Sequence, residues 1–283
     1  MFISRHRLYP ILCLLAGLSA GALPAQVVIQ SYVQTGSLYA NDDNHSGNLG
    51  ATAGSNGNPL GEDLGFSINF GGTTYSKTFV SNNGYISFGE GSGVYVPVPL
   101  DATYATNESL TLPIIAAFFS DVDTSAVGTV TWGTGLVDSH AAFAVKWNGV
   151  GEFSNGTSPN TFELVLVSRA DTGVGNFDIF LNYETITWDH GNAVAGFHTG
   201  AAATTPLYYQ VPGSMTEGAF LNSGPNALTT FTNTGGAGDF LLSARGGTFL
   251  SVAPVVAIPE PSTYALLALG GGLLLLAARR RRA

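Results

Sequence analysis

Cysteine is almost missing, since Cys13 is the only one in 283 residues. It lies in an apolar stretch near the N-terminus that reads as a removable leader, so the exported chain is expected to have none. That excludes disulfides, thiolate metal ligands and cysteine nucleophiles together, and leaves core burial and sheet hydrogen bonds to hold the fold. Charge is scarce too, at 10% of residues, and positive charge most of all. Six of the ten basic residues stand in the terminal segments, as Arg5, Arg7, Arg279, Arg280, Arg281 and Arg282. The body between them keeps Lys77, Lys146, Arg169 and Arg245 against eighteen carboxylates, a net charge of −14. Such a field repels a phosphate backbone, which argues against nucleic acid and in favour of cations as partners. A merely solubilising surface is the plainer account of the same charge.

Catalytic signatures are missing as well. None of His6, His45, His140, His190 and His198 belongs to a His-Glu-x-x-His motif or another zinc spacing. His190 follows Asp189, but no Gly-x-Ser-x-Gly turn accompanies the pair, and Asp189-His190-Gly191 reads better as a turn after Trp188. Gly133-Thr134-Gly135 and Gly173-Val174-Gly175 lack the third glycine and following helix of a nucleotide fingerprint, and read as hairpin turns. Glu152, Glu163, Asp178 and Glu184 are scattered along candidate strands, with no spacing that marks a glycosidase pair. The chain is expected not to be an enzyme, with a secreted hydrolase ranking third among its readings.

What is present is strand. The 37 glycines punctuate short runs rich in Val, Ile, Phe, Leu and Tyr, and no segment of the body sustains a helical period. Val27 to Val33 reads as a first strand, and residues 36–61 as a polar loop. Leu64, Phe66, Ile68 and Phe70 share one strand face, Gly71-Gly72 turns the chain, and a hairpin is expected around Asn82-Asn83-Gly84. Residues 89–111 read as a longer loop. Further strands are expected at 114–119, 129–132, 142–147, 161–168, 177–183 and 193–197, and strand-like pattern returns at 227–244. This layout predicts an all-β, antiparallel, sandwich-like fold. Trp147 and Trp188 read as core anchors whose indole nitrogens need acceptors. Tyr75, Tyr85, Tyr95 and Tyr104 can stack on sugars or simply pack in strands.

Asp121 and Asp123 form the sharpest polar pair. They follow an apolar strand two residues apart, where calcium would reconcile two like charges through hard oxygen ligands. The loop Asn41-Asp42-Asp43-Asn44 can form another oxygen-rich site or contribute to the same one. Neither stretch has the spacing of an EF-hand, and backbone hydrogen bonding in a turn explains the same aspartates without a metal.

The ends carry addresses. Arg5 and Arg7, the apolar run 11–18 and small residues near Ala25 have the layout of a secretory signal peptide. At the other end, Pro259-Glu260-Pro261 precedes the apolar run 264–278 and four arginines. Fifteen helical residues span about 22 Å, short of the roughly 30 Å hydrocarbon core, so this short hydrophobic helix suits transient membrane insertion. The arginines act as a stop on the cytoplasmic side and leave the body outside.

Two resemblances follow from these residues. Residues 258–283 resemble the PEP-CTERM sorting signal of Gram-negative bacteria. That resemblance implies recognition of Pro259, Glu260 and Pro261 by an exosortase, a membrane peptidase, and a link to exopolysaccharide and biofilm matrix. In the body, six ordered blocks carry the second likeness. They are Pro113-Ile114-Ile115-Ala116-Ala117-Phe118-Phe119-Ser120-Asp121-Val122-Asp123-Thr124, Phe143-Ala144-Val145-Lys146-Trp147-Asn148-Gly149-Val150-Gly151, Asn160-Thr161-Phe162-Glu163-Leu164-Val165-Leu166, Phe177-Asp178-Ile179, Tyr183-Glu184-Thr185-Ile186-Thr187-Trp188 and Ala195-Gly196-Phe197. Together they resemble the NIDO domain, an extracellular module of nidogen, tectorin and mucin-type proteins. It implies a structural or adhesive role and no catalytic apparatus.

The expected organisation is a signal peptide at 1–25, a strand and polar loop at 26–60 and a NIDO-like domain at 61–245, strongest over 113–200. A linker at 246–257 and the sorting segment at 258–283 complete it. The leading expectation is a non-enzymatic surface or matrix protein engaged in adhesion or exopolysaccharide association. A glycan-binding or calcium-dependent module is the alternative.

Overall fold

Short apolar runs, too brief for helices and rich in β-branched and aromatic residues, fold into strands that bury one face. The computed structural model describes residues 30–48, 58–106, 109–154, 156, 158–189 and 192–250. The expected signal peptide, the hydrophobic C-terminal helix, Pro259, Glu260, Pro261, Arg279, Arg280, Arg281 and Arg282 lie outside them. So do His190 and Gly191. Among the described residues no helix is long and apolar enough to cross a membrane.

In chain order the strands are β1 (Gln30–Ser37), β2 (Glu62–Phe70), β3 (Thr73–Val80), β4 (Tyr85–Ser87), β5 (Ile114–Phe119), β6 (Val122–Asp123) and β7 (Thr129–Val137). They continue with β8 (His140–Glu152), β9 (Asn160–Ser168), β10 (Phe177–Thr185), β11 (Val194–His198), β12 (Tyr208–Gln210), β13 (Asp239–Arg245) and β14 (Thr248–Phe249). One sheet runs β1-β7-β8-β9-β10-β13-β14, with β6 paired to β8, and the other runs β12-β11-β5-β4-β3-β2. Neighbouring strands are antiparallel in both. The fold is therefore the expected all-β sandwich.

Alternation decides what lies between the sheets. Phe143, Val145 and Trp147 of β8 and Phe162, Leu164 and Leu166 of β9 join one core with Ile68, Phe70, Phe118 and Phe197 from the facing sheet. Full burial of such a side chain contributes about 1.5–3 kcal/mol, so two of them match the roughly 2–4 kcal/mol of a disulfide. The cysteine-free body has many to draw on. Both tryptophans are anchored as expected: the Trp147 indole donates to the carbonyls of Ser81 and Asn82 at 3.1 and 3.0 Å, and that of Trp188 to Val150 at 3.2 Å.

Two expectations are corrected and a third is sharpened. Gly133-Thr134-Gly135 is no turn but the middle of β7, while the β7–β8 turn is made by Asp138 and Ser139, both at positive φ. The residues from 227 onward form a strand only from Asp239. The loop 89–111 is a packed cover: Val98, Leu100, Tyr104 and Leu110 seal the outer face of the smaller sheet against Tyr85, Ile114 and Phe119. Tyr85 and Tyr104 are therefore fully buried, with hydroxyls donating to backbone carbonyls, and offer no face to a sugar.

Candidate metal centre

The turn between β3 and β4 organises the acidic end of the sandwich. Asn83 is buried and works in both directions: its Oδ1 accepts from the Val122 amide at 2.8 Å, and its Nδ2 donates to Asp43 Oδ1 at 3.0 Å. Asn82 Nδ2 donates to the Val122 carbonyl at 2.7 Å, while its Oδ1 accepts from the Asn44 amide at 2.8 Å. Two side chains of one turn thus clamp the loop 41–44 onto the segment that follows β5. Thr124 closes the arrangement from the far side, giving and receiving bonds with the Asn41 backbone.

The clamp brings three carboxylates together. Oxygens of Asp42, Asp43 and Asp121 lie within 4.8 Å of one another, all partly buried. Asp42 Oδ1 and Asp121 Oδ1 are shielded from solvent and meet no hydrogen-bond donor. Burial, then the charges of Asp43, Asp42, Asp123 and Glu152, push the Asp121 carboxyl up to about 7. Burial, followed by Asp43 and Asp123, pushes Asp42 up to about 6. Burial raises Asp43 as well, opposed by the bond from Asn83. Three carboxylates that resist ionisation where nothing neutralises them have the donor chemistry of a hard divalent cation site, and calcium prefers such oxygens.

Asp123 sits differently. Its backbone bridges that of Asp42, and its Oδ1 accepts from the Ser125 amide at 2.7 Å, so it shapes the turn beside the three converging carboxylates. Sequence spacing paired Asp121 with Asp123. The structure brings Asp121 to the loop some eighty residues upstream, which in sequence reads either as a separate oxygen-rich site or as part of this one. The asparagines that make the junction read, in sequence, as a turn alone. Their signal was the doubled Asn before Gly84, which needs a side-chain role as well as a backbone one.

The remaining candidates are dispersed. His198 is stacked between Tyr104 and Tyr208, and burial lowers it to about 4. Asp178 is held by Arg169 at 2.9 Å and Arg245 at 2.7 Å, two of the four cations of the body. It lies opposite Val167, four residues along β9 from Glu163, or roughly 13 Å. Each carboxylate is committed elsewhere, Asp178 to the two arginines and Glu163 to Asn182, so the two do not face each other as a glycosidase pair would.

A family model described as NIDO related matches residues 34–216, and one described as the PEP-CTERM protein-sorting motif matches residues 257–282. Neither a curated protein nor a solved structure matches the chain. The NIDO-related match covers more than half of the sequence and spans both sheets, from β1 to beyond β12.

Proposed function

Because the chain belongs to the NIDO-related family, we propose that its exported sandwich is a non-enzymatic component of the cell surface or matrix, engaged in adhesion or exopolysaccharide association. The sorting motif marks it as an exported protein handled by an exosortase, and this single observation carries the reading. Pro259, Glu260 and Pro261 are the residues the peptidase would recognise, and Arg279, Arg280, Arg281 and Arg282 the stop that holds the tail in the membrane until processing. Neither matched family is catalytic, and the arginine clamp on Asp178 supports the non-enzymatic side of the reading.

Fractionation of Gram-negative host cells with and without the exosortase tests it. The body should reach the surface or matrix as a shortened product when the peptidase is present, and stay in the membrane fraction at full size when it is absent. Identical size and location in both strains would sink the proposal.

A second reading is favoured by the orphaned oxygens of Asp42 and Asp121: calcium binds there, with Asp43 as third ligand and Asp123 supporting the turn. Three carboxylates and nearby loop oxygens meet part of the six to eight ligands that calcium takes, with water completing the shell. A bound ion would rigidify the junction between the loop 41–44, the β3–β4 turn and β6, and make adhesion dependent on calcium.

A further inference from the structure

The outer face of the larger sheet carries a line of polar side chains that neither reading above employs. Cross-strand register sets Thr131 opposite Lys146, Lys146 opposite Glu163, Glu163 opposite Asn182 and Asn182 opposite Asp239. One polar row therefore crosses β7, β8, β9, β10 and β13. The adjacent row is apolar: Gly133, Ala144, Val165 and Phe180 stand in register beside it. Ala144 and Val165 are buried and belong to a small outer-face cluster with Val137, Ala142 and Val167.

Tyr32 of the edge strand β1 lies across the first of these positions. A Cβ on Gly133 would come within 2.3 Å of the Val33 carbonyl oxygen, 2.7 Å of Tyr32 Cε2 and 2.8 Å of Cζ, so the absence of a side chain lets strand β1 and its ring settle there. The ring remains 39% exposed. Between it and the polar row opens a cleft of about 250 Å³, lined by Tyr32, Thr131, Lys146 and Glu163. Glu163 is pinned by Asn182, whose Nδ2 donates to Oε2 at 3.0 Å, which leaves Oε1 for the cleft. The Lys146 ammonium is close enough for its charge to act on Glu163, yet it has no hydrogen-bond or ion-pair partner among the described residues.

We infer that this cleft binds a neutral, hydroxyl-rich ligand, a sugar unit of a polysaccharide chain. The carboxylate and ammonium offset each other, so neither a cation nor an anion gains from the site as a whole. A polyanion would also meet the acidic body. Hydroxyl groups both donate and accept, which matches a row offering an acceptor at Glu163, donors at Lys146 and the hydroxyls of Tyr32 and Thr131, which share one hydrogen bond and keep capacity for another. The Tyr32 face takes the C–H face of a sugar ring. The volume lies near the lower end of small-molecule sites, which suits one or two rings. Mounting on paired strands fixes the polar groups relative to one another. The inference rests on the matrix-association reading and supplies its contact point.

Calorimetric titration of the full-length chain in detergent tests it, with cellohexaose, maltohexaose and the neutral fraction of the host's matrix polysaccharide as probes. Polygalacturonate serves as the anionic probe. Binding of at least one neutral probe should weaken about tenfold or more in Tyr32→Ala and in Glu163→Gln, the size expected from losing a stacking partner or a charged hydrogen bond. Lys146→Gln, which keeps donors, should weaken it less. Tyr95→Ala, at an aromatic of similar exposure elsewhere, should leave it unchanged. Unaltered melting temperatures certify that the variants fold. Wild-type binding that all three cleft variants preserve would overturn the cleft and leave matrix association standing. Binding of polygalacturonate alone, or of no probe, would overturn it equally. Failure of the matrix reading is seen separately, as identical size and location of the chain with and without the exosortase in the fractionation experiment.

Discussion

Half-buried beside Asp42 and Asp43, Asp121 holds its proton up to about pH 7 against an ordinary value of 3.8. The native state therefore keeps a proton that the unfolded chain has already released. The stability this contributes is complete below about pH 4 and is lost as pH rises through 6 to 7, where Asp42 and Asp121 ionise side by side. His198 acts in the opposite sense, since its lowered value costs stability as pH falls from 6.5 toward 4. Comparison with a variant isolates the carboxylates: Asp121→Asn should melt higher than wild type at pH 7.5 without calcium, and the gap should close toward pH 4. Calcium should raise the wild-type melting temperature at pH 7.5 by several degrees and leave Asp121→Asn unmoved. Thermal scans across pH, with and without calcium, check both, and parallel profiles would remove the coupled site. Sequence alone suggested acidic oxygen chemistry at Asp121, because the residue types and the preceding strand were visible. It could not rank Asp42 over Asp123 as the nearer partner, since that proximity is made by two asparagines bonding across some forty positions.

At the level of elements, the β3–β4 turn shows the same division. Asn82-Asn83-Gly84 was legible as a turn because Asn-Gly suits positive φ, and Gly84 has φ +80°. Its second constraint is tertiary. A Cβ at Gly84 would stand 1.8 Å from the Phe118 carbonyl oxygen, while the Gly84 carbonyl accepts from the amides of Ala117 and Phe118. Gly72, also at positive φ, has open space around it. Gly84→Ala should therefore cost well over about 2 kcal/mol or prevent folding, and Gly72→Ala only the roughly 1–2 kcal/mol of an unfavourable backbone region. Urea denaturation of the two variants measures the difference, and equal losses would show that the contact with Phe118 is relaxed at little cost. The glycines of β7 mislead in the opposite direction. Gly133 and Gly135 look like punctuation, yet Gly133 lies mid-strand because the Val33 carbonyl and the Tyr32 ring occupy the space a side chain would take.

For the molecule as a whole, a body with four cations and eighteen carboxylates repels itself. Sodium chloride between about 10 and 150 mM should raise its melting temperature by screening, over a range where the Debye length falls from roughly 30 to 8 Å. Calcium chloride at matched ionic strength should raise it further if the three-aspartate site is filled, and equal curves would assign the whole effect to screening. Composition and patterning by themselves determined that this protein is all-β and rests on its core without disulfides, because strand alternation, glycine punctuation and cysteine count are local properties of the chain. Sequence blocks likewise carried the likeness to the NIDO and PEP-CTERM families, since both are read in order along the chain. Tertiary structure alone decided which carboxylates converge, which tyrosines are buried and where a cleft opens. Those outcomes depend on cross-strand register and on loops meeting across two sheets, and a pairing between distant residues leaves no trace in the spacing of either one.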